Sequence, residues 1–208
     1  MPSDPRAAAQ VEGAAALIFD MDGTLVDSGQ LHETAWTRTL QRYGIPLERP
    51  LMRSLAGVPT RGTLEHLIDH FGLSIAASTA EMNDFKEAVV HELARDYVKP
   101  TGLVEVARRY AGTKPMSVGT GAYTGEAERI LTWCDLRHLM GAVVGADQVA
   151  APKPAPDTFL RCAELMQVAP ERCVVFEDSV LGLEAAERAG MIAINVLQAY
   201  GIQNDYFL

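Results

Sequence analysis

Two aspartates two residues apart, in Asp20-Met21-Asp22-Gly23-Thr24, directly follow the apolar run Ala14-Ala15-Ala16-Leu17-Ile18-Phe19. Carboxylates at that spacing can project toward one point, and Gly23 lets the chain turn sharply after them. A polar turn closing a strand has the same composition. A calcium loop needs a third acidic ligand and then glycine at the sixth position, whereas here glycine stands fourth. Three further segments put reactive residues beyond an apolar run. Met116-Ser117-Val118-Gly119 leads to Thr120 at the start of a helical pattern. Its hydroxyl and the nearby amides around Gly121 can hold a phosphate oxygen, or simply cap the helix. Lys153 lies in Pro152-Lys153-Pro154-Ala155-Pro156-Asp157, where flanking prolines stiffen the loop. Glu177-Asp178-Ser179 follows Cys173–Phe176. Adjacent carboxylates repel each other unless a cation stands near them. The plain alternative is a solvated loop with Ser179 capping the next helix.

Other motifs fail on spacing. Gly119, Gly121 and Gly125 read Gly-x-Gly-x-x-x-Gly, not the dinucleotide pattern, and no acidic residue follows where a ribose would need one. No Gly-x-x-x-x-Gly-Lys-Ser/Thr loop is present. His66 and His70 stand i, i+4 on one helix face, but no third metal ligand accompanies them.

The elements that must hold these residues alternate. The first dozen residues, Met1 to Glu12, are small and polar with two prolines and read as a poorly ordered tail. The run ending at Phe19 reads as a strand buried on both faces. From Gln30 to Val98 the apolar rhythm is helical, as in Leu31, Ala35, Leu40 and Tyr43, in Leu64, Leu67, Ile68 and Phe71, and in Phe85, Val89, Val90 and Leu93. No strand is expected there. After Pro100, helices over Leu103–Tyr110, Gly125–Trp133, Asp157–Met166 and Leu181–Ala189 interleave with strands over Pro115–Val118, Ala142–Val144, Cys173–Phe176 and Ile192–Val196. Repeated strand–helix units of this length imply a parallel sheet covered on both faces, with ligands beyond the C-terminal ends of its strands. The reading is an α/β chain with a Rossmann-like parallel sheet core over 1–29 and 99–208, and an inserted all-helical domain over 30–98.

Composition narrows the function classes. The 208 residues carry a net charge of −9, against the basic surface a nucleic-acid backbone requires. No apolar run approaches the ~18–20 residues of a membrane span. The N-terminus has no basic flank leading into an apolar stretch, so the expected location is cytoplasmic. Cys134, Cys162 and Cys173 have no metal-ligand spacing and read as free core thiols.

The order along the chain is the strong signal: carboxylate pair, hydroxyl, lysine, carboxylate pair, each beyond a strand end. It resembles the four motifs of the haloacid dehalogenase superfamily, over essentially the whole chain. The helical stretch is similar to that superfamily's mobile cap. Gly119-Thr120-Gly121, Lys153-Pro154-Ala155-Pro156-Asp157 and Val175-Phe176-Glu177-Asp178 resemble the beta-phosphoglucomutase-like group, and within it the bacterial fructose-1-phosphate/6-phosphogluconate phosphatases.

The resemblance implies a monomeric phosphatase that uses Mg²⁺ and acts on a small phosphorylated metabolite such as a sugar phosphate. It implies Asp20 as the nucleophile that forms an aspartyl-phosphate, and Asp22 as the general acid–base. Mg²⁺ ligands would be Asp20, Asp178, the backbone carbonyl of Asp22, and Glu177. Lys153, Thr120 and the amides around Gly121 would stabilise the transferring phosphoryl group. His32 and the loop Gly57-Val58-Pro59-Thr60-Arg61 fall where such caps meet substrate, with Arg61 suited to a distal anionic or hydroxylated part. A mutase of the group is expected to carry a cap lysine a few residues before the position of Tyr97. His91–Asp96 holds none, so hydrolysis is favoured. A dehalogenase needs neither metal nor an acid at the second position, which Asp22 and the Glu177–Asp178 pair argue against. The complete reactive set also argues against a silent metabolite-binding protein.

Overall fold

A computed structural model describes residues 4–207. The chain divides into two units. One runs up to Asp27 and resumes over Lys99–Asn204; the other comprises Ser28–Val98 and the residues from Asp205 on.

The first unit is built on a five-stranded parallel sheet, β1 (Ala16–Phe19), β4 (Met116–Gly119), β5 (Ala142–Val144), β6 (Cys173–Glu177) and β7 (Ile192–Asn195), in the order β5-β4-β1-β6-β7. A short antiparallel pair, β2 (Val26–Asp27) and β3 (Lys99–Pro100), joins the two points where the chain leaves and re-enters this unit. Every residue of β1, β4 and β6 is buried, which is why these strands read as continuous apolar runs rather than alternating ones. The unit's helices are α1 (Pro5–Gly13), α6 (Val104–Tyr110), α7 (Thr124–Trp133), α8 (Asp157–Met166), α9 (Val180–Arg188) and α10 (Val196–Tyr200). On one sheet face Ile18, Val144 and Val175 pack with Phe159 and Cys162 of α8 and Ala185 of α9. Each fully buried side chain of this size contributes about 1.5–3 kcal/mol of transfer free energy. All three cysteines are free and buried.

The second unit is helical: α2 (Gly29–Tyr43), α3 (Arg49–Ser54), α4 (Thr60–His70) and α5 (Thr79–Tyr97). Its core joins Trp36 and Leu40 of α2, Met52 of α3, Leu64 and Leu67 of α4 and Met82 of α5; Leu40, Leu64 and Leu67 lie on the faces that the helical pattern marks, whereas Met52 and Met82 are outside it. Ser78 caps α5 by accepting a hydrogen bond from Glu81 N at 3.2 Å. Gly44, in the left-handed region at φ 67°, closes α2. Among the described residues, no helix is long and apolar enough to cross a membrane.

Two sequence expectations need correction. The N-terminal tail expected over Met1–Glu12 is helix α1 from Pro5, while Met1–Ser3 lie outside the described residues. Asp4 caps it through Arg6 N at 2.8 Å and Pro5 opens it, where a missing N–H costs nothing. Ala7 and Val11 are buried. The Tyr110 hydroxyl donates to Glu12 Oε2 at 2.6 Å, and Lys114 Nζ donates to the Glu12 and Ala14 carbonyls at 2.8 and 2.5 Å. Lys114 thereby satisfies carbonyls that the end of a helix leaves without partners. The second correction concerns the C-terminus. The sequence reading places it wholly in the sheet unit, yet Phe207 is 2% exposed within the helical unit's core. The first boundary falls at 27/28 where 29/30 is expected, and the second at 98/99.

Docking of α1 by the Tyr110–Glu12 bond predicts that Tyr110→Phe lowers stability only slightly, because the bond is exposed. A chain lacking the residues up to Gly13 should lose more. Urea unfolding midpoints of the three proteins check the order.

Candidate active site

Parallel register brings the reactive residues to one edge of the sheet. β1 lies between β4 and β6, with Phe19 opposite Val118 on one side and Phe176 on the other. The chain runs from β1 outward through β4 and β5, then returns to β6 and β7 on the opposite side. Asp20 therefore leaves β1 at the point where the direction of winding reverses, which is where open parallel sheets form a crevice. Asp20 N donates to Phe176 O at 2.9 Å, extending the ladder up to the acid itself. The Phe19 and Phe176 rings stack beneath, 4.9 Å apart and 8° from parallel.

Lys153 reaches into this crevice from the loop between β5 and α8. Its Nζ donates to Asp20 Oδ1 at 2.6 Å and to Glu177 Oε2 at 2.7 Å. The ammonium also lies 4.7 Å from the centre of the Phe159 ring, a favourable cation–π distance. Arg188 secures the loop by donating to Pro154 O at 3.2 Å. Glu177 is 1% exposed, and its second oxygen accepts from Ser179 N at 3.0 Å and Ser179 Oγ at 2.8 Å. Ser179 Oγ in turn accepts from Gly182 N at 3.1 Å, so one hydroxyl both caps α9 and orients the acid. A Cβ at Gly182 would stand 2.1 Å from the Glu177 carboxylate, which explains the glycine in the first turn of α9.

Asp20, Glu177 and Asp178 each offer an oxygen within 4.8 Å of the others. Three carboxylates share this space with one ammonium. Burial, then the neighbouring Glu177 charge, hold Asp20 well above the usual carboxylate range despite the opposing pull of Lys153. The same two causes raise Asp178 to about 7. Burial alone would lower Lys153, but the Asp20 and Glu177 charges outweigh it and keep the lysine protonated. With one ammonium to three carboxylates the group is short of positive charge, and its all-oxygen donors suit a hard divalent cation. The residues present therefore fit the metal that the sequence implied. The Asp22 side chain is not part of the cluster, and the resemblance implied only its backbone carbonyl as a ligand. Asp22 is half-buried and bridges to Val26 across the turn after β1. Thr120 is 1% exposed just beyond β4, where its Oγ1 accepts from Ala122 N at 3.1 Å, and Gly121 is exposed beside it.

His32 on α2 is half-buried; Thr60 and Arg61 open α4, with Arg61 exposed. All three belong to the helical unit. His66 and His70 are exposed, their rings stacked 6.1 Å apart.

Two residues escaped the sequence reading. Lys86 on α5 is 5% exposed, with Nζ 3.3 Å from Glu87 Oε1 and 5.4 Å from the centre of the Trp36 ring. Its spacing of four residues from the buried Met82 and Val90 marked it as inward-facing, but lysine on an amphipathic helix reads by default as solvated. Asn204 donates to Asp178 Oδ2 at 2.8 Å. Nothing in the sequence singles out that asparagine.

Residues 17–196 match the family of haloacid dehalogenase-like hydrolases. Fructose-1-phosphate phosphatase YqaB of Escherichia coli is 43% identical over 187 residues, covering 89% of this chain and 97% of that protein. A phosphorylated carbohydrates phosphatase of Thermotoga maritima is 35% identical, covering 85% of this chain and 82% of that protein. Among solved structures, CbbY from Rhodobacter sphaeroides in complex with xylulose-(1,5)bisphosphate superposes with a TM-score of 0.75. It is 23% identical and covers 88% of this chain and 85% of that chain, a likeness of fold. The chain belongs to the haloacid dehalogenase-like hydrolases.

The raised carboxyls have a consequence for stability. A carboxyl whose pKa is higher in the folded protein stabilises the fold below its unfolded value near 4, and that contribution is lost as pH rises through about 7. Asp178→Asn has no proton to give up. In EDTA at pH 8 it should melt above the parent protein, the gap closing toward pH 4 in thermal scans. Added Mg²⁺ should raise the melting temperature of the parent at pH 8 and not that of the variant.

Proposed function

We propose that this protein is a Mg²⁺-dependent phosphatase of small phosphorylated metabolites, sugar phosphates foremost, acting through an aspartyl-phosphate on Asp20. One observation carries the reading. A buried ammonium lies 2.6 Å from an aspartate at the end of the central strand, beside two further acids within ligand distance. The family membership and the phosphatases among the relatives support it.

Lys153 holds Asp20 Oδ1 and so fixes the carboxylate's orientation toward an incoming phosphorus. Asp20 attacks; the bond from phosphorus to the sugar oxygen breaks; Asp22 supplies the proton that the leaving oxygen takes. Asp22, now ionised, takes a proton from water, whose oxygen attacks the aspartyl-phosphate and frees Asp20 and inorganic phosphate. The Lys153 ammonium and the amides beyond Thr120 stabilise charge on the phosphoryl oxygens. Asp20, Asp178, the Asp22 carbonyl and Glu177 would hold Mg²⁺, which would supply positive charge to the phosphoryl group and favour the ionised nucleophile. The helical unit acts as the cap, excluding water and selecting substrate, with His32, Thr60 and Arg61 as its contacts.

Lys86 favours a second reading, a hexose-phosphate mutase. A mutase must hold a second phosphate, and a buried ammonium in the helical unit suits that task. Phosphate release without any bisphosphorylated activator separates hydrolysis from mutation.

A phosphate-release screen across many phosphometabolites, with and without Mg²⁺, tests the proposal. We expect release from sugar phosphates only with the metal and none from Asp20→Asn. Lys153→Ala should lose about 100–1,000-fold in kcat, the range found for removing one charge-stabilising donor. An Asp20→Asn protein as fast as the parent would assign the nucleophile elsewhere.

A further inference from the structure

The C-terminal segment lies beyond the part of the chain that matches the family, which ends at residue 196. Exposed polar termini normally fray unless something ties them down. This one is tied at two places. Gly201, at φ 67°, closes α10 in the left-handed region and turns the chain back. Three residues later the Asn204 amide donates to Asp178 Oδ2 at 2.8 Å. It lies against the turn after β1. A Cβ at Gly23 would stand 2.4 Å from Asp178 Oδ2 and 2.5 Å from Asn204 Nδ2, so a glycine there makes room for both.

The next residue, Asp205, begins the part of the tail that belongs to the helical unit. Phe207 is 2% exposed and packs in the core formed by Trp36, Leu40, Met52 and Leu64. Its backbone N–H donates to Glu33 Oε2 at 3.2 Å. Arg49 pairs with Glu33 Oε1 at 2.8 Å, and its guanidinium lies 5.7 Å from the centre of the Phe207 ring. Tyr206 meets the Phe207 ring edge-on at 4.7 Å. The chain thus passes between the units a third time, and only three residue steps separate the two attachments.

We propose that Asn204 is a positioning residue for Asp178, and that Phe207 makes the tail a tether linking the helical unit's core to that carboxylate. This rests on the reading of Asp178 as a ligand of the divalent ion. The terminal torsion of an aspartate is broad. A donor fixed on one oxygen removes that freedom and sets where the remaining lone pairs point. Partners of this kind, one step behind a metal ligand, typically carry 10–100-fold in affinity. The difference from an ordinary supporting contact is its origin. The asparagine is held by a segment whose other end is buried in a different folding unit.

Calorimetric titration of the full-length protein with Mg²⁺ at one pH tests this, alongside kcat and KM. The set comprises the parent, Asp178→Asn, Asn204→Ala, and a protein with four Gly/Ser residues inserted between Asn204 and Asp205. The insertion leaves both attachments chemically intact and so avoids the folding risk of removing Phe207. We expect Asn204→Ala to bind Mg²⁺ about 10-fold or more weakly. At saturating Mg²⁺ its substrate KM should match the parent's, and turnover lost at low Mg²⁺ should recover as the metal is raised. The insertion should weaken Mg²⁺ binding several-fold in the same manner. If Asn204→Ala binds within twofold of the parent while Asp178→Asn is clearly impaired, the positioning role is overturned and the metal-site reading stands. An insertion with parental affinity overturns the tether. If Asp178→Asn binds Mg²⁺ as the parent does, the ligand assignment itself fails, and this proposal with it.

Discussion

Crowding of negative charge at one sheet edge governs this molecule. Asp20, Glu177 and Asp178 are brought within 4.8 Å of one another, and Lys153 is the ammonium bonded into the group. Such a cluster is costly to bury without compensation, because charges taken from water must be repaid by partners. The compensation visible here is partial. Glu177 is satisfied on both oxygens, by Lys153 and by Ser179, whereas Asp20 and Asp178 have their protonation shifted upward. An assembly that stays short of positive charge after its own lysine is counted is poised to take up a cation. Only once such a cation is held there can the same group accept a phosphoryl group, which arrives with its own demand for positive charge.

The fold explains how a marginally stable chain tolerates that crowding. The acids stand at the ends of fully buried strands whose register is fixed by ladder bonds on both sides, so they cannot drift apart to relieve repulsion. The stacked Phe19 and Phe176 rings lie directly behind them. Apolar burial in the sheet thus supplies the free energy that the site consumes, a division seen wherever function imposes local strain. Substitutions that loosen the β1–β6 contact should therefore be felt in the site before they are felt in the fold.

Where Asp20, Lys153, Glu177 and Asp178 gather was legible because each lies beyond an apolar run, and a parallel sheet puts all such positions at one edge. Helix α8 was placed to the residue, since Asp157 marks its start and its apolar face is strongly one-sided. Helix α1 was not legible. Its alanines and the prolines Pro2 and Pro5 resemble a tail, and what secures it, Tyr110 and Lys114, lies about a hundred residues away. Lys86 was missed because a charge in a helical pattern signals solvent, while its burial beside Trp36 depends on packing between α2 and α5. Asn204 and Phe207 were missed for the same reason. A short polar segment ending in two aromatics carries no periodicity, and its partners are fixed only by tertiary structure.

The net charge of −9 sharpens the electrostatic argument. An anionic substrate approaching a strongly acidic protein meets a repulsive field, yet at physiological ionic strength that field decays over about 8 Å. Surface acids farther from the crevice than this contribute little. On the proposed reading, what the substrate meets at contact is set by the buried Lys153, the amides beyond β4, and a cation that the three acids would hold. Those acids are themselves negative, so without the cation the crevice would repel a phosphomonoester more strongly than the bulk surface does. Substrate binding and metal binding are therefore coupled through the same charges. On the proposed reading, whatever orients Asp178 toward a cation would act on both.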